Sequence, residues 1–161
     1  MSRTISMNVN GTEHEVVAEP RELLLDVLRG SLGLTSVHAA CEQGSCGACT
    51  VLLDGAAVRS CLLFAVQVDG RLVATVEGLA DSAVLHAVQE AFSDCHALQC
   101  GFCTPAMVLA VMEVLGQNRQ PDRVEIEKAL SGQLCRCTGY VSIVDAVMQA
   151  SGQVSDRMAG P

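Results

Sequence analysis

The chain opens with a period of two. ISMNV (residues 5–9) alternates apolar and polar positions, Asn10-Gly11 is a strong two-residue turn, and TEHEVVA returns from it. Such a turn predicts the pairs Val9 with Thr12, Met7 with His14 and Ile5 with Val16. Pro20 then opens RELLLDVLRG, a short helix that Gly30 is placed to end. Strand-like segments follow in TVLLDG and AVRSCLLFAVQVDG, closed by Asp54-Gly55 and Asp69-Gly70, and again in RLVATVEGL at 71–79. A hairpin, a crossing helix and further short strands predict a small α+β sheet domain.

After about residue 80 the period lengthens. Helices are expected over 83–93, 104–115, 122–131 and 142–151. Thr104 reads as an N-cap with Pro105 at the first helical position and Gly116 at the end. Asp122 followed by Glu125 resembles a capping box, Gly132 closes that helix, and Ser142 with Asp145 begins the last one. Two helical hairpins make a second, all-α domain. The boundary is expected in EGLADSA, giving domains over 1–77 and 83–155. The tail after Gly152 reads as frayed or partner-bound.

Composition changes the picture in three ways. Half of the 161 residues are apolar, yet there are only 3 Phe and 1 Tyr, so the core must be built from Leu, Val, Ala and Met. A net charge of -8, with no cluster of Lys and Arg, argues against binding to phosphate backbones. The longest apolar runs, such as AMVLAVM, fall well short of the roughly 20 residues that span a bilayer. MSRTISMNVNG has neither an apolar signal core nor a twin-arginine pair, which makes a cytoplasmic location the expectation. The 9 cysteines are many for a reducing compartment, where metal binding is a better explanation than disulfides.

The cysteines fall into two groups. In CEQGSCGAC, Cys41, Cys46 and Cys49 precede a lone Cys61, the C-x4-C-x2-C…C spacing of plant-type [2Fe-2S] sites. A cluster of two irons, two sulfides and four thiolates is an anion. The loop must therefore curl around it and aim backbone N–H groups at sulfur, which Gly44 and Gly47 permit. Structural zinc is the alternative. The second group is Cys100 and Cys103, then Cys135 and Cys137, each pair at a junction between two predicted helices. If the hairpins pack with tips together, these four thiols form one site beside helix N-termini. Zinc is again possible, but the tight C-x-C beside a ferredoxin-type group favours a second [2Fe-2S] cluster.

CEQGSCGACTV, the SC at Cys61, LQCGFCTP and LCRCTGY, in that order, resemble the small iron–sulfur subunit of the molybdenum hydroxylases, the xanthine oxidase family, over about residues 3–150. The resemblance implies a plant-type ferredoxin-like β-grasp domain and a four-helix domain, each holding one [2Fe-2S] cluster. It implies two partners: a large subunit with a molybdopterin cofactor and a medium FAD subunit, assembled as a heterotrimer or a dimer of heterotrimers. It places Gln99 and Cys137 in contact with that pterin. A molybdenum centre takes up two electrons from its substrate, and two one-electron clusters in series pass them singly toward a flavin or other acceptor. No Gly-rich dinucleotide fingerprint is present here, which leaves flavin binding to another chain. The chain departs from the family pattern at Ala40 and Ala106, each in place of Gly, and at SVHAAC in place of TGTKxGC.

Other residues carry alternatives. Phe102 and Tyr140 either shield the second cluster or are plain core residues, and Arg136 either offsets cluster charge or lies exposed. Cys95 reads as an inert thiol, with a redox role the lesser reading, and His96 as structural. His14, His38 and His86 have no ligand spacing. Two rival functions stand beside the oxidoreductase component: a free-standing two-cluster carrier or redox sensor, and a zinc-stabilised binding module.

Overall fold

The computed structural model describes residues 2–80 and 83–158. Strands β1 (Arg3–Val9) and β2 (Thr12–Ala18) form the hairpin in the predicted register, with Val9 opposite Thr12, Met7 opposite His14 and Ile5 opposite Val16. Asn10 and Gly11 both take positive φ, 55° and 82°, as a type I′ turn requires. The alternation buries Ile5, Met7 and Val9 with Val16 and Ala18. Three short strands complete a mixed sheet in the order β2-β1-β5-β3-β4: β3 (Thr50–Leu53), β4 (Ala56–Arg59) and β5 (Leu72–Ala74). Only the β1–β5 pair is parallel. With a helix packed across one face, this is the β-grasp arrangement.

Three local expectations are corrected. The first helix begins at Leu24, not after Pro20, and runs as α1 (Leu24–Asp26) into a π-helical turn, Val27–Ser31, which passes through Gly30. Tertiary pairing overrides the Pro20 signal, because Leu23 is extended and bridges Phe64, while Leu24 N–H donates to Leu63 O at 2.8 Å. The predicted strand through AVRSCLLFAVQVDG stops at Arg59 and gives way to 3-10 turns at Ser60–Leu62 and Ala65–Val68. There Ser60 folds back on the carbonyl of Cys49, donating from both N–H (3.2 Å) and Oγ (2.8 Å). The strand at 71–79 is only Leu72–Ala74, since the Asn10 side chain captures Thr75 at 2.8 and 2.9 Å and the chain turns into a 3-10 turn, Val76–Leu79.

The second half is helical: α2 (Ala83–Asp94), α3 (Thr104–Gln117), α4 (Arg123–Leu130) and α5 (Val141–Met158). The Asp122–Glu125 capping box forms, with Glu125 N–H donating to Asp122 at 2.8 Å and Asp122 N–H to Glu125 at 2.9 Å. Cys103, not Thr104, is the N-cap, because its carbonyl already accepts from Met107 N–H at 3.0 Å. Helix α3 continues past Gly116 to Gln117, and α5 continues past Gly152 to Met158, so the tail is helical that far. Residues 81 and 82 of the expected boundary, and 159–161 of the tail, lie outside the described residues.

Two apolar cores result. One gathers Met7, Leu24, Leu28, Val51 and Val73 beneath the sheet; the other gathers Leu85, Phe92, Met107, Ile126 and Ile143 between the helices. Each fully buried side chain of this size contributes about 1.5–3 kcal/mol. Cys49 and Cys61 are part of the first core, and Cys103 and Cys135 pack against the second.

Candidate functional site: two four-thiol centres

The loop between the π-turn and β3 supplies Cys41, Cys46 and Cys49, and the turn after β4 supplies Cys61. Cys49 and Cys61 are buried, while Cys41 and Cys46 are half-buried. Cys46 N–H points at Cys41 Sγ at 3.4 Å. Gly44 and Gly47 both sit at φ 80°, which lets the loop curl as the sequence requires. Donors and burial split the thiols. Hydrogen bonds, that from the Ser45 side chain foremost, bring the Cys41 thiol down to about 6, whereas burial, then the bond to Cys49, pushes Cys61 up to about 11.

The second group is assembled from two helix junctions. Cys100 and Cys103 precede α3, and Cys135 and Cys137 lie between α4 and α5. Cys137 Sγ and Cys100 Sγ are 3.6 Å apart and exposed, whereas Cys103 and Cys135 form the inner, half-buried pair. Burial, then the bond to Cys135, pushes Cys103 up to about 12. Burial opposes ionisation of Cys135 too, but hydrogen bonds to its sulfur, those of Thr138 foremost with Oγ1 at 3.2 Å and N at 3.4 Å, together outweigh it, and the thiol is lowered. The Tyr140 hydroxyl accepts from Cys135 N–H at 2.8 Å and donates to Gln133 O at 3.1 Å, so this ring ties the loop down as well as packing against the core.

Each group thus presents four thiols to one loop system with backbone N–H groups aimed at sulfur, a donor set that fits a [2Fe-2S] cluster. Among the described residues, no group of three or more His, Cys, Asp or Glu is set to hold a single metal ion.

Sequence reasoning did not find what joins the two centres. Leu134, next to Cys135, donates its N–H to the carbonyl of Cys46 at 2.8 Å. Beside this bond lies Gln133, only 2 % exposed. In the orientation that satisfies its neighbours, its amide nitrogen donates to Gly47 O at 2.9 Å and its oxygen accepts from Thr50 Oγ1 at 3.1 Å and Arg59 at 3.2 Å. Arg59 also donates to Gly132 O at 2.7 Å and Thr50 Oγ1 at 2.6 Å. A Cβ on Gly47 would run into the Gln133 side chain and would lie 2.5 Å from Gly132 O. On the other side of the junction His38 stacks on Phe102, ring centroids 4.3 Å apart at 14°, and meets its carbonyl at 2.7 Å. Local sequence carries no signal for the contacts that cross the junction, since each of those spans more than 60 residues.

The remaining candidates fall as follows. Gln99 and Cys137 are brought together, with Gln99 Nε2 donating to Cys137 O at 3.1 Å, and both are exposed. Arg136 is exposed. Ala40 is absent from the positive-φ residues, so Ala in place of Gly costs no strain there, and Ala106 is buried in the first turn of α3. Cys95 is half-buried and hydrogen-bonded to Gln149 at 3.3 Å; burial, then the carboxylates of Asp145 and Asp94, raises its thiol and favours the inert reading. His96 is exposed at φ 51° in the turn that ends α2.

Comparison with known proteins agrees with this chemistry. A family model for a 2Fe-2S iron-sulfur cluster binding domain matches residues 7–74, and one for a [2Fe-2S] binding domain matches 75–148. The nicotine 6-hydroxylase small subunit of Paenarthrobacter nicotinovorans is 52% identical over 95% of this chain and 92% of its own. Quinoline 2-oxidoreductase from Pseudomonas putida 86 contains a chain that superposes with a TM-score of 0.90 at 46% identity, covering 97% of both. Aldehyde oxidoreductase from Desulfovibrio desulfuricans matches with a TM-score of 0.90 at 40% identity, over 96% of this chain but 17% of that longer one. No helix among the described residues is long and apolar enough to cross a membrane. The chain belongs to the two-cluster iron–sulfur subunits of the xanthine oxidase family of molybdenum hydroxylases, and it is the electron-transfer component of an oxidoreductase.

Proposed function

We propose that Cys41, Cys46, Cys49 and Cys61 hold the first [2Fe-2S] cluster, that Cys100, Cys103, Cys135 and Cys137 hold the second, and that the two lie in domains 1–77 and 83–155. When bound, each cluster supplies one-electron storage and transfer. The residues of this chain supply placement. The Leu134 N–H to Cys46 O bond, which joins a ligand of one site to the neighbour of a ligand of the other, carries this reading. Tunnelling falls exponentially with distance, and a direct backbone contact between the two ligand loops keeps the step short.

The exposed thiols Cys100 and Cys137, with Gln99 bonded to the Cys137 carbonyl, form the face offered to a large molybdopterin subunit. Gln99 and Cys137 contact the pterin there, and electrons leave through the first site to a medium FAD subunit, in a cytoplasmic heterotrimer or dimer of heterotrimers. The names of the more similar relatives, nicotine 6-hydroxylase and quinoline 2-oxidoreductase, support a nitrogen heterocycle as the substrate of the complex, bound in the large subunit.

The test is to purify the native complex and count Fe, Mo and flavin per chain. The substrate-reduced sample should show two distinct [2Fe-2S] EPR signals, and Cys137→Ser should remove one of them. An iron-loaded chain that no substrate of the complex can reduce would overturn the conducting role. A loaded chain that purifies alone and is reduced without a molybdenum partner would favour a free-standing carrier.

A further inference from the structure

Arg59 carries a positive charge into the junction between the two thiol groups and meets only neutral partners there. Its guanidinium donates to Thr50 Oγ1 at 2.6 Å, to Gly132 O at 2.7 Å and to the Gln133 amide oxygen at 3.2 Å. Thr50 and Gln133 are buried and Arg59 is half-buried. Room is kept for the cation, since a Cβ on Gly132 would lie 2.6 Å from Nη2. The ion pairs among the described residues join other arginines to carboxylates on the exposed surface, and Arg59 is in none of them. Carboxylates are not scarce, at 18 Asp and Glu against 10 Lys and Arg. A guanidinium cannot shed its proton, and a charge taken partly out of water without a counter-charge is costly.

Both thiol groups lie within a short reach of chain. Arg59 is two residues before Cys61 and stands opposite Thr50 in the β3–β4 register, and Thr50 directly follows Cys49. Gly132, whose carbonyl the guanidinium holds, is three residues before Cys135. With consecutive Cα atoms 3.8 Å apart, two and three residues span at most about 8 and 11 Å. We propose that Arg59 is the counter-charge shared by the two clusters, and that its field raises the reduction potential of both. The inference rests on the assignment of the two four-cysteine groups as cluster ligands. Reduction adds one negative charge to an already anionic cluster, so a fixed cation nearby favours the reduced state. At about 10 Å and an effective dielectric constant of about 20, Coulomb's law gives a preference on the order of tenfold at each site. The same contacts could serve only as a hydrogen-bonded clamp between the loops, and the two roles part when charge and bonds are changed separately.

The experiment is a redox titration of the purified complex, followed by EPR, for wild type, Arg59→Gln, Arg59→Lys, Thr50→Val, Cys61→Ser and Cys135→Ser. Arg59→Gln keeps an amide donor without the charge, and Arg59→Lys keeps the charge without the planar fork. Thr50→Val removes one acceptor at nearly constant shape and leaves the cation in place. The expected result is that Arg59→Gln shifts both clusters about tenfold toward the oxidised form, 59 mV for one electron. Arg59→Lys and Thr50→Val should hold both potentials near wild type, whatever stability they lose. Unmoved potentials in Arg59→Gln, a shift confined to one cluster, or an equal shift in Arg59→Lys or Thr50→Val overturns the proposal. Iron lost from Arg59→Gln and Arg59→Lys alike would make the residue a structural clamp and overturns it as well. If Cys61→Ser leaves the first signal intact and Cys135→Ser the second, the ligand assignment itself falls. If each alters its own signal while Arg59→Gln moves neither potential, the assignment stands and the role of Arg59 alone is refuted.

Discussion

Gly47→Ala isolates the physical demand that joins the two centres. Gly47 sits at φ 80°, and a methyl group there would collide with the Gln133 side chain and stand 2.5 Å from Gly132 O. Two costs add. A left-handed conformation with a Cβ costs about 1–2 kcal/mol. The collision cannot be relieved by Gln133 alone, because the second atom met is backbone of another element, so the loops must part. The buried Gln133 amide then loses partners among Gly47, Thr50 and Arg59, at about 1–3 kcal/mol for a polar group left unsatisfied. The total is about 2–5 kcal/mol. Gly55→Ala is the control, since Gly55 has φ 86° but nothing within 4 Å of an added Cβ, and only the first cost applies. Denaturant unfolding of the two variants measures the difference directly. Gly47→Ala should be less stable than Gly55→Ala by about 1–3 kcal/mol, with a weaker magnetic coupling between the two reduced centres. Equal losses of stability would refute the claim that close approach, rather than φ alone, requires glycine at 47.

Three further outcomes are expected. Tyr140→Phe removes the hydroxyl that Cys135 N–H and Gln133 O share, and should destabilise the chain by about 1–3 kcal/mol in thermal unfolding while perturbing only the second EPR signal. Glu77 accepts from Ser36 and Thr75; these bonds outweigh the burial that opposes ionisation and hold the carboxyl below its usual 4.5. A depressed folded pKa adds stability above pH 4.5 that is lost as pH falls through the folded value. The Glu77→Gln deficit, about 1 kcal/mol at pH 7 after allowance for solvent screening, should therefore vanish in acid on comparing the two melting curves. Finally, Cys61 at about 11 and Cys103 at about 12 are protonated in the iron-free chain at neutral pH, so loading each site releases at least one proton. Loading affinity, measured against a chelator of known proton linkage, should weaken about tenfold or more per unit of acidification, and a pH-independent affinity would contradict the shifts.

What the sequence determined by itself was everything carried by local spacing. The period-two alternation and Asn10-Gly11 set the register of the hairpin, because a two-residue turn leaves one pairing that buries Ile5, Met7 and Val9 together. The Asp122–Glu125 capping box and the four helices were legible for the same reason, as were the short cysteine motifs Cys41–Cys46–Cys49, Cys100–Cys103 and Cys135–Cys137. The tertiary structure decided what depends on distant partners. Leu23 became extended because Phe64 was there to bridge it, and Arg59 ended its strand because Ser60 turned back onto Cys49. Above all it decided how the two cysteine groups face each other. Gln133, Thr50, Arg59 and the pair His38–Phe102 read as ordinary polar, basic or aromatic positions in one dimension. They acquire a role only when residues more than 60 apart are packed together, and at the buried Gln133 and Thr50 an unpaired polar group is costly and a paired one fixes a geometry.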